Sequence, residues 1–152
     1  LQGGKGRFDL MPLFNVNELL PTRLYEMDCM YDFVSDGNTD ALKKALTNFM
    51  DRVYPDRITA IFELSKHFEE GAKKYGENNW QKGIETKYYI NSAGHHLLQY
   101  ERGDIDEPHD RSFMWNMMCC IWTCEEMPQL NTYGSAFVKP VIKNWKPKKE
   151  KK

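Results

Sequence analysis

The stretch EEGAKKYGENNWQKG, residues 69–83, sets two carboxylates and two lysines directly ahead of an asparagine pair and a tryptophan. Together these types describe a pocket: a ring to stack on a flat ligand, amides to bond it, cations for its negative groups and acids for a metal. Glu69 is the most pointed of them. On a helix, at about 100° per residue, it falls on the shoulder of the apolar stripe and is expected to be partly buried. A half-buried acid needs a partner, and a hard cation such as Mg²⁺ is one candidate. Glu63, His67, Glu70 and Lys74 fall on a narrow face opposite that stripe, which reads as solvated charge with i,i+4 pairing.

A second concentration lies downstream, where Asp104, Asp106, Glu107, His109 and Asp110 occupy seven positions. An acid near a helix start is routine and favoured by the dipole. Capping needs fewer than these, and clustered carboxylates repel unless water or a metal screens them. A metal site and ordinary capping both remain open at this point. Beyond it, His109, Asn116 and Thr123 recur every seven residues along one line of an otherwise apolar helix. Asn116 is either a hydrogen-bonded core amide or part of an internal polar site shared with Glu69 and the acidic connection. His96 sits at the edge of an apolar stripe and His95 points away, and both read as packed or surface histidines.

Lys5, Arg7, Lys73 and Lys74 are cations that can meet phosphates, though singly such residues are solvated surface charges. GGKG is not a phosphate-binding Walker loop, because no GK[ST] follows at the required spacing. His109–Asp110, with His96 upstream, hints at an HD-type phosphohydrolase. That pattern needs a later aspartate, and none follows Asp110.

Helices must position these groups. Leu24, Met27, Tyr31 and Val34 step by three and four; SDGN (35–38) then makes a turn. After Asp40, a candidate N-cap, Leu42, Ala45, Phe49, Met50 and Val53 repeat the pattern. Asp56 can cap a third helix over 57–75 with Ile61, Leu64, Phe68, Ala72 and Tyr75 as its apolar stripe. A fourth is predicted over 88–102, with Tyr89, Ala93, Leu97 and Tyr100 facing inward. The fifth, over 109–126, is apolar around most of its circumference and should be central. Only AFVKPVI hints at a strand, and Pro140 interrupts it. The class is all-α, a bundle of about five helices. It divides into a Gly-rich arm (1–12), a helical segment (13–57), a helical core (58–127) and an irregular, basic tail (128–152), whose last stretch reads as solvated and disordered.

The whole chain of 152 residues is long enough for one domain with a core, at 41% hydrophobic and 13% aromatic residues. A net charge of −1 gives no bulk attraction to nucleic acid or membrane. Cys29, Cys119, Cys120 and Cys124 form no CxxC pair and read as reduced thiols. With no signal peptide or spanning run visible, a cytoplasmic setting is expected. The sequence opens at Leu1 without Met, so preceding residues are expected as well.

GGKGRFDLMP, HFEEGAKKYGENNWQKG, YINSAGHHLLQYERGD, DEPHD and FMWNMMCCIWT follow one another in this order. On residues 3–12 and about 58–124 the chain resembles the phage and bacterial dATP/dGTP diphosphohydrolase domain, related to the MazG-type all-α nucleotide pyrophosphohydrolases. GAKKYGENNW is the most specific block, and 13–57 looks like an insertion relative to shorter members. The resemblance implies an often oligomeric helical bundle in which acids hold Mg²⁺ or Mn²⁺. It implies hydrolysis of a purine deoxynucleoside triphosphate to the monophosphate and pyrophosphate, in the host cytoplasm if phage-encoded.

Carried over by motif, Glu69 and Glu70 are the helix carboxylates, with Asp104, Asp106 and His109 completing the metal set. Glu69, Glu70, Lys74 and His109 are the implied catalytic groups. Lys74, Tyr75, Asn79, Trp80, His96 and Asn116 form the implied nucleotide pocket, with Trp80 exposing its ring to the base. Lys5 and Arg7 fold over the phosphates. Where the family usually reads Arg-His, this chain has His95–His96, which removes a bidentate phosphate grip. Of the MazG pattern ExxE then ExxD, Glu101 and Asp104 fit the second half, while Glu63 and Glu69/Glu70 give no clean first half. The competing reading is a non-catalytic helical module whose basic tail serves a nucleic-acid or protein partner.

Overall fold

A computed structural model of the chain describes residues 4–133. Among the described residues there are six α-helices and no strand: α1 Leu13–Asn17, α2 Tyr25–Asp36, α3 Thr39–Val53, α4 Arg57–Tyr75, α5 Thr86–Arg102 and α6 His109–Glu126. Single 3₁₀ turns lie at Phe8–Leu10, Asn79–Lys82 and Pro128–Leu130. The weak strand signal at 136–142 and the basic tail from Lys139 lie outside the described residues. No described helix is long and apolar enough to cross a membrane.

Local chemistry explains the boundaries. Gly37 ends α2 in the left-handed conformation at φ 73°, which glycine adopts without a Cβ clash. The cap of α3 is Asn38, whose side chain accepts from the Asp40 backbone N–H, so the cap expected at Asp40 lies two residues earlier. Asp56 accepts from the Thr59 N–H and starts α4 where its sequence signals it. The short α1 escapes periodicity because one turn offers too few repeats to read. Asn17 fixes it to α2: its amide donates to the Leu24 carbonyl and to Asp28, and accepts from the Leu24 N–H.

α6 is the central helix, buried at Phe113, Met114, Met117, Cys119, Cys120 and Ile121, and it packs against α3, α4 and α5. The Phe49 ring of α3 packs tilted against Phe113 at 4.5 Å and edge-on to Tyr100 of α5 at 5.5 Å, so α3 belongs to the same core. Each buried aromatic or aliphatic side chain of this kind contributes on the order of 1.5–3 kcal/mol. All four cysteines are free thiols; burial pushes that of Cys119 up and keeps it protonated.

α4 departs from the expected face. Ala60 and Leu64 are its buried residues, with His67 and Phe68 packed beside them. Ile61 (54% exposed), Phe62 (65%) and Tyr75 (70%) look outward. The helix carries apolar residues on two sides, and periodicity cannot choose between them. The choice falls to α6, whose Trp115 ring lies 5.8 Å from His67 and 6.1 Å from Phe68.

The N-terminal arm is pinned to α5. The Phe8 ring is buried against the bare backbone of Gly94. Asp9 donates its backbone N–H to Asn91 at 3.0 Å, and its carboxylate accepts from Arg7 at 2.9 and 3.0 Å and from the Tyr133 hydroxyl.

Candidate functional site

His109 opens α6, directly after the acidic connection, and its ring is 2% exposed. Its two nitrogens face two partners. Nδ1 lies 2.8 Å from Nδ1 of His96 on α5, and Nε2 lies 2.7 Å from an Asp106 carboxylate oxygen. A carboxylate only accepts, so the His109 proton sits on Nε2 and its lone pair on Nδ1. His96 Nδ1 then donates to that lone pair. The His109 bond also holds the Asp106 carboxyl below the usual carboxylate range. Burial first and the neighbouring His109 second push His96 down to about 4, so His96 is neutral near pH 7.

Carboxylates crowd this histidine pair. His96, Glu107 and His109 present ligand atoms within 4.8 Å of one another, and so do Asp104, Asp106 and His109. Asp104 is also gripped by Arg102 at 2.5 and 2.8 Å, which holds its carboxyl down. The acidic connection and the edge of α5 thus converge on one imidazole, as a divalent-ion site requires.

His67 of α4 borders the same region. Burial lowers its pKa first, and the Arg111 guanidinium lowers it further; Glu70 and Glu107 raise it, and Lys74 lowers it. Its Nδ1 is buried without a hydrogen-bond partner. His67 is half-buried with its ring against Trp115 of α6, whereas Glu70 and Lys74 of the same face are exposed, as the sequence places them. His67 and Arg111 are the groups that sequence reasoning missed. The signal for His67 was its spacing with Glu70 and Lys74; Arg111 had none beyond its place next to Asp110.

Other expected residues stand elsewhere. Glu69 is not half-buried: its side chain is 68% exposed and its ion pair is with Lys73 at 3.7 Å. Being three residues from Lys66 on the outward side, it follows Ile61 and Phe62 into solvent once α4 is rotated. Among the described residues, the groups able to share an ion include neither Glu69 nor Glu70. Glu101 pairs with Arg52 at 2.5 Å, and Asp110 accepts from the Tyr54 hydroxyl. Asn116 is 6% exposed, and its amide donates to the Ser112 carbonyl at 2.8 Å.

Trp80 does not display its ring. It is half-buried, edge-on to Phe68 at 5.6 Å and to Trp122 at 4.9 Å, and its carbonyl accepts from Tyr89 at 3.4 Å. Offset and edge-on aromatic pairs of this sort are favourable, and the Trp80 loop is thereby closed onto the bundle. Asn78, at φ 60°, turns the chain into that 3₁₀ segment. Asn79 stands beside Trp80 and is half-buried, while Tyr75 is exposed. Lys5 and Arg7 are exposed on the arm, with Gly6 close to His95 Nε2; Arg7 is engaged by Asp9.

Comparison with known proteins gives one match and two blanks. No curated protein and no solved structure is matched. The family model described as "dATP/dGTP diphosphohydrolase, N-terminal" matches residues 37–132, which takes in α3 through α6 and the whole of the histidine–carboxylate cluster. The match covers more than half of the chain, and the protein belongs to this dATP/dGTP diphosphohydrolase N-terminal family.

Proposed function

We propose that the protein hydrolyses a purine deoxynucleoside triphosphate, dATP or dGTP, to the monophosphate and pyrophosphate with the help of a divalent cation. The family name points to a diphosphohydrolase, hence a hydrolase. The observation that carries the reading further is the His96–His109–Asp106 chain with Asp104 and Glu107 around it. This donor set fits a divalent ion, because neutral imidazole and ionised carboxylate are the forms that ligate. Such an ion, once bound, polarises a phosphoryl oxygen and lowers the pKa of an attacking water.

The chain's own groups supply the rest. Asp106 keeps the proton of His109 on Nε2 and so fixes the ring's orientation. Lys74 and Arg111, whose charges both bear on His67, offset negative charge on the departing pyrophosphate. Arg111 provides a guanidinium that position 95 lacks. Glu70, whose charge acts on His67, is better placed than Glu69 to accept the proton of the attacking water. The rings of Phe68 and Trp115 border this region, and the base of the nucleotide packs along them. Lys5 and Arg7 of the arm reach the phosphate end. A homo-oligomer is part of the reading and is checked by light scattering.

The test is incubation of the full chain with each deoxynucleoside triphosphate and Mg²⁺ or Mn²⁺. Pyrophosphate release with equimolar dAMP or dGMP is expected. No product with any nucleotide and metal would favour the non-catalytic module instead, and release of single phosphates would mark a different hydrolase.

A further inference from the structure

We propose that His96, His109 and Glu107 form a two-imidazole, one-carboxylate site that selects a first-row transition-metal ion over Mg²⁺, with Asp106 as the outer carboxylate that orients His109. The proposal deepens the hydrolase reading and rests on it for its place in the reaction. Ion binding itself stands on the chain alone.

The argument begins with the direction of the His109 lone pair. Asp106 accepts from Nε2, so Nδ1 is the ligand atom of His109, and it faces Nδ1 of His96 at 2.8 Å. Two imidazole nitrogens on one tetrahedral ion, at bond lengths of about 2.0–2.1 Å, stand about 3.3 Å apart. The pair needs to open by only about half an ångström to receive an ion. His96 then moves its proton from Nδ1 to Nε2, a change of tautomer with no change of charge. Glu107 is exposed and offers the third atom within 4.8 Å. The Asp106–His109 hydrogen bond matches the carboxylate–histidine–metal arrangement found behind ligating histidines, and it is already formed.

The donor set decides which ion is taken. Mg²⁺ demands oxygen ligands in octahedral geometry and keeps its waters. Imidazole suits Zn²⁺, Co²⁺, Ni²⁺ and Fe²⁺, and Mn²⁺ sits between the two groups. Asp104 is less available as a ligand because Arg102 holds both of its oxygens. The remaining set is therefore richer in nitrogen than a Mg²⁺ site.

The experiment titrates Co²⁺ and Mg²⁺ separately into the chelator-treated full chain, reading Co²⁺ by its visible ligand-field absorption and both by calorimetry. One Co²⁺ per chain is expected, bound at least 100-fold more tightly than Mg²⁺. Glu107→Gln, at an exposed position that cannot unfold the chain, should weaken Co²⁺ at least tenfold, and His96→Ala should abolish the absorption. Asp106→Asn should weaken Co²⁺ by about 10–100-fold and shift the band while leaving one site per chain. Mg²⁺ bound as tightly as Co²⁺, or Co²⁺ binding indifferent to His96→Ala and Glu107→Gln, overturns the proposal. Pyrophosphate release with Mg²⁺ but no Co²⁺ site would sink this inference alone. A Co²⁺ site without hydrolysis of any nucleotide would sink the hydrolase reading alone.

Discussion

Phe8 and Gly94 touch so closely that a Cβ built on Gly94 would fall 2.2 Å from Cγ of the Phe8 ring. No rearrangement of a flexible tip relieves that contact, because the whole ring lies over the helix backbone. Gly94→Ala should therefore destabilise the fold by about 1–3 kcal/mol, or expel the arm, despite alanine's better helix propensity. Urea unfolding measures the cost. Phe8→Leu in the Gly94→Ala background should recover part of it, whereas full additivity of the two changes would show that ring and glycine do not meet.

The same arm gives the protein an acid-sensitive contact. Burial pushes the Asp9 carboxyl up, but hydrogen bonds from Arg7, Tyr133 and Asn91 outweigh it and leave the folded pKa below the ordinary 3.8. A depressed carboxyl contributes stability that is present above the unfolded pKa and is lost as pH falls through the folded one. The stability gap between the natural chain and Asp9→Asn should be wide at pH 6 and should close as pH drops below about 4. A gap independent of pH would contradict the arrangement.

Glu26 of α2 is fully buried among donors: Arg52 at 2.9 and 3.1 Å and Asn48 at 2.9 Å. Removing the guanidinium strands the carboxylate. Arg52→Ala should cost about 3–5 kcal/mol, and adding Glu26→Gln should restore a sizeable part by removing the buried charge. Thermal or urea unfolding of the two single variants and the pair tests this coupling.

Trp80 joins Phe68 of α4 to Trp122 of α6. Trp80→Ala should lower stability by about 2–4 kcal/mol, at or below the usual range for a large aromatic because the ring is only half-buried. Trp80→Phe should lose less than half of that. If Trp80→Ala raised KM for nucleotide and left unfolding unchanged, the ring would be a base platform and not a packed lid.

Turnover should separate the two kinds of acid. Glu69→Gln removes an exposed carboxylate paired only with Lys73 and should change kcat by less than about threefold. His109→Gln should lower kcat by at least about 100-fold if the cluster holds the ion. The comparison is read as pyrophosphate release per chain, with circular dichroism confirming that both variants remain helical. Equal losses would return Glu69 to the centre of the chemistry.

Sequence alone determined which of the longer segments are helical and where most of them stop. Those are local properties: Asp56 needs only the Thr59 N–H, and α6 is apolar on so many sides that no other place than the centre suits it. The acidic connection was legible as a possible metal site for the same reason, since its groups are near one another in the chain. Tertiary structure decided the rest. Which side of α4 faces inward depends on Trp115, some fifty residues away, so His67 turned inward against that ring and Glu69 outward into solvent. The pairing of His96 with His109 joins two helices, and its direction depends on a rotation about each axis that neither helix specifies by itself. Periodicity records the distance between residues along one helix; only packing sets the angle between helices.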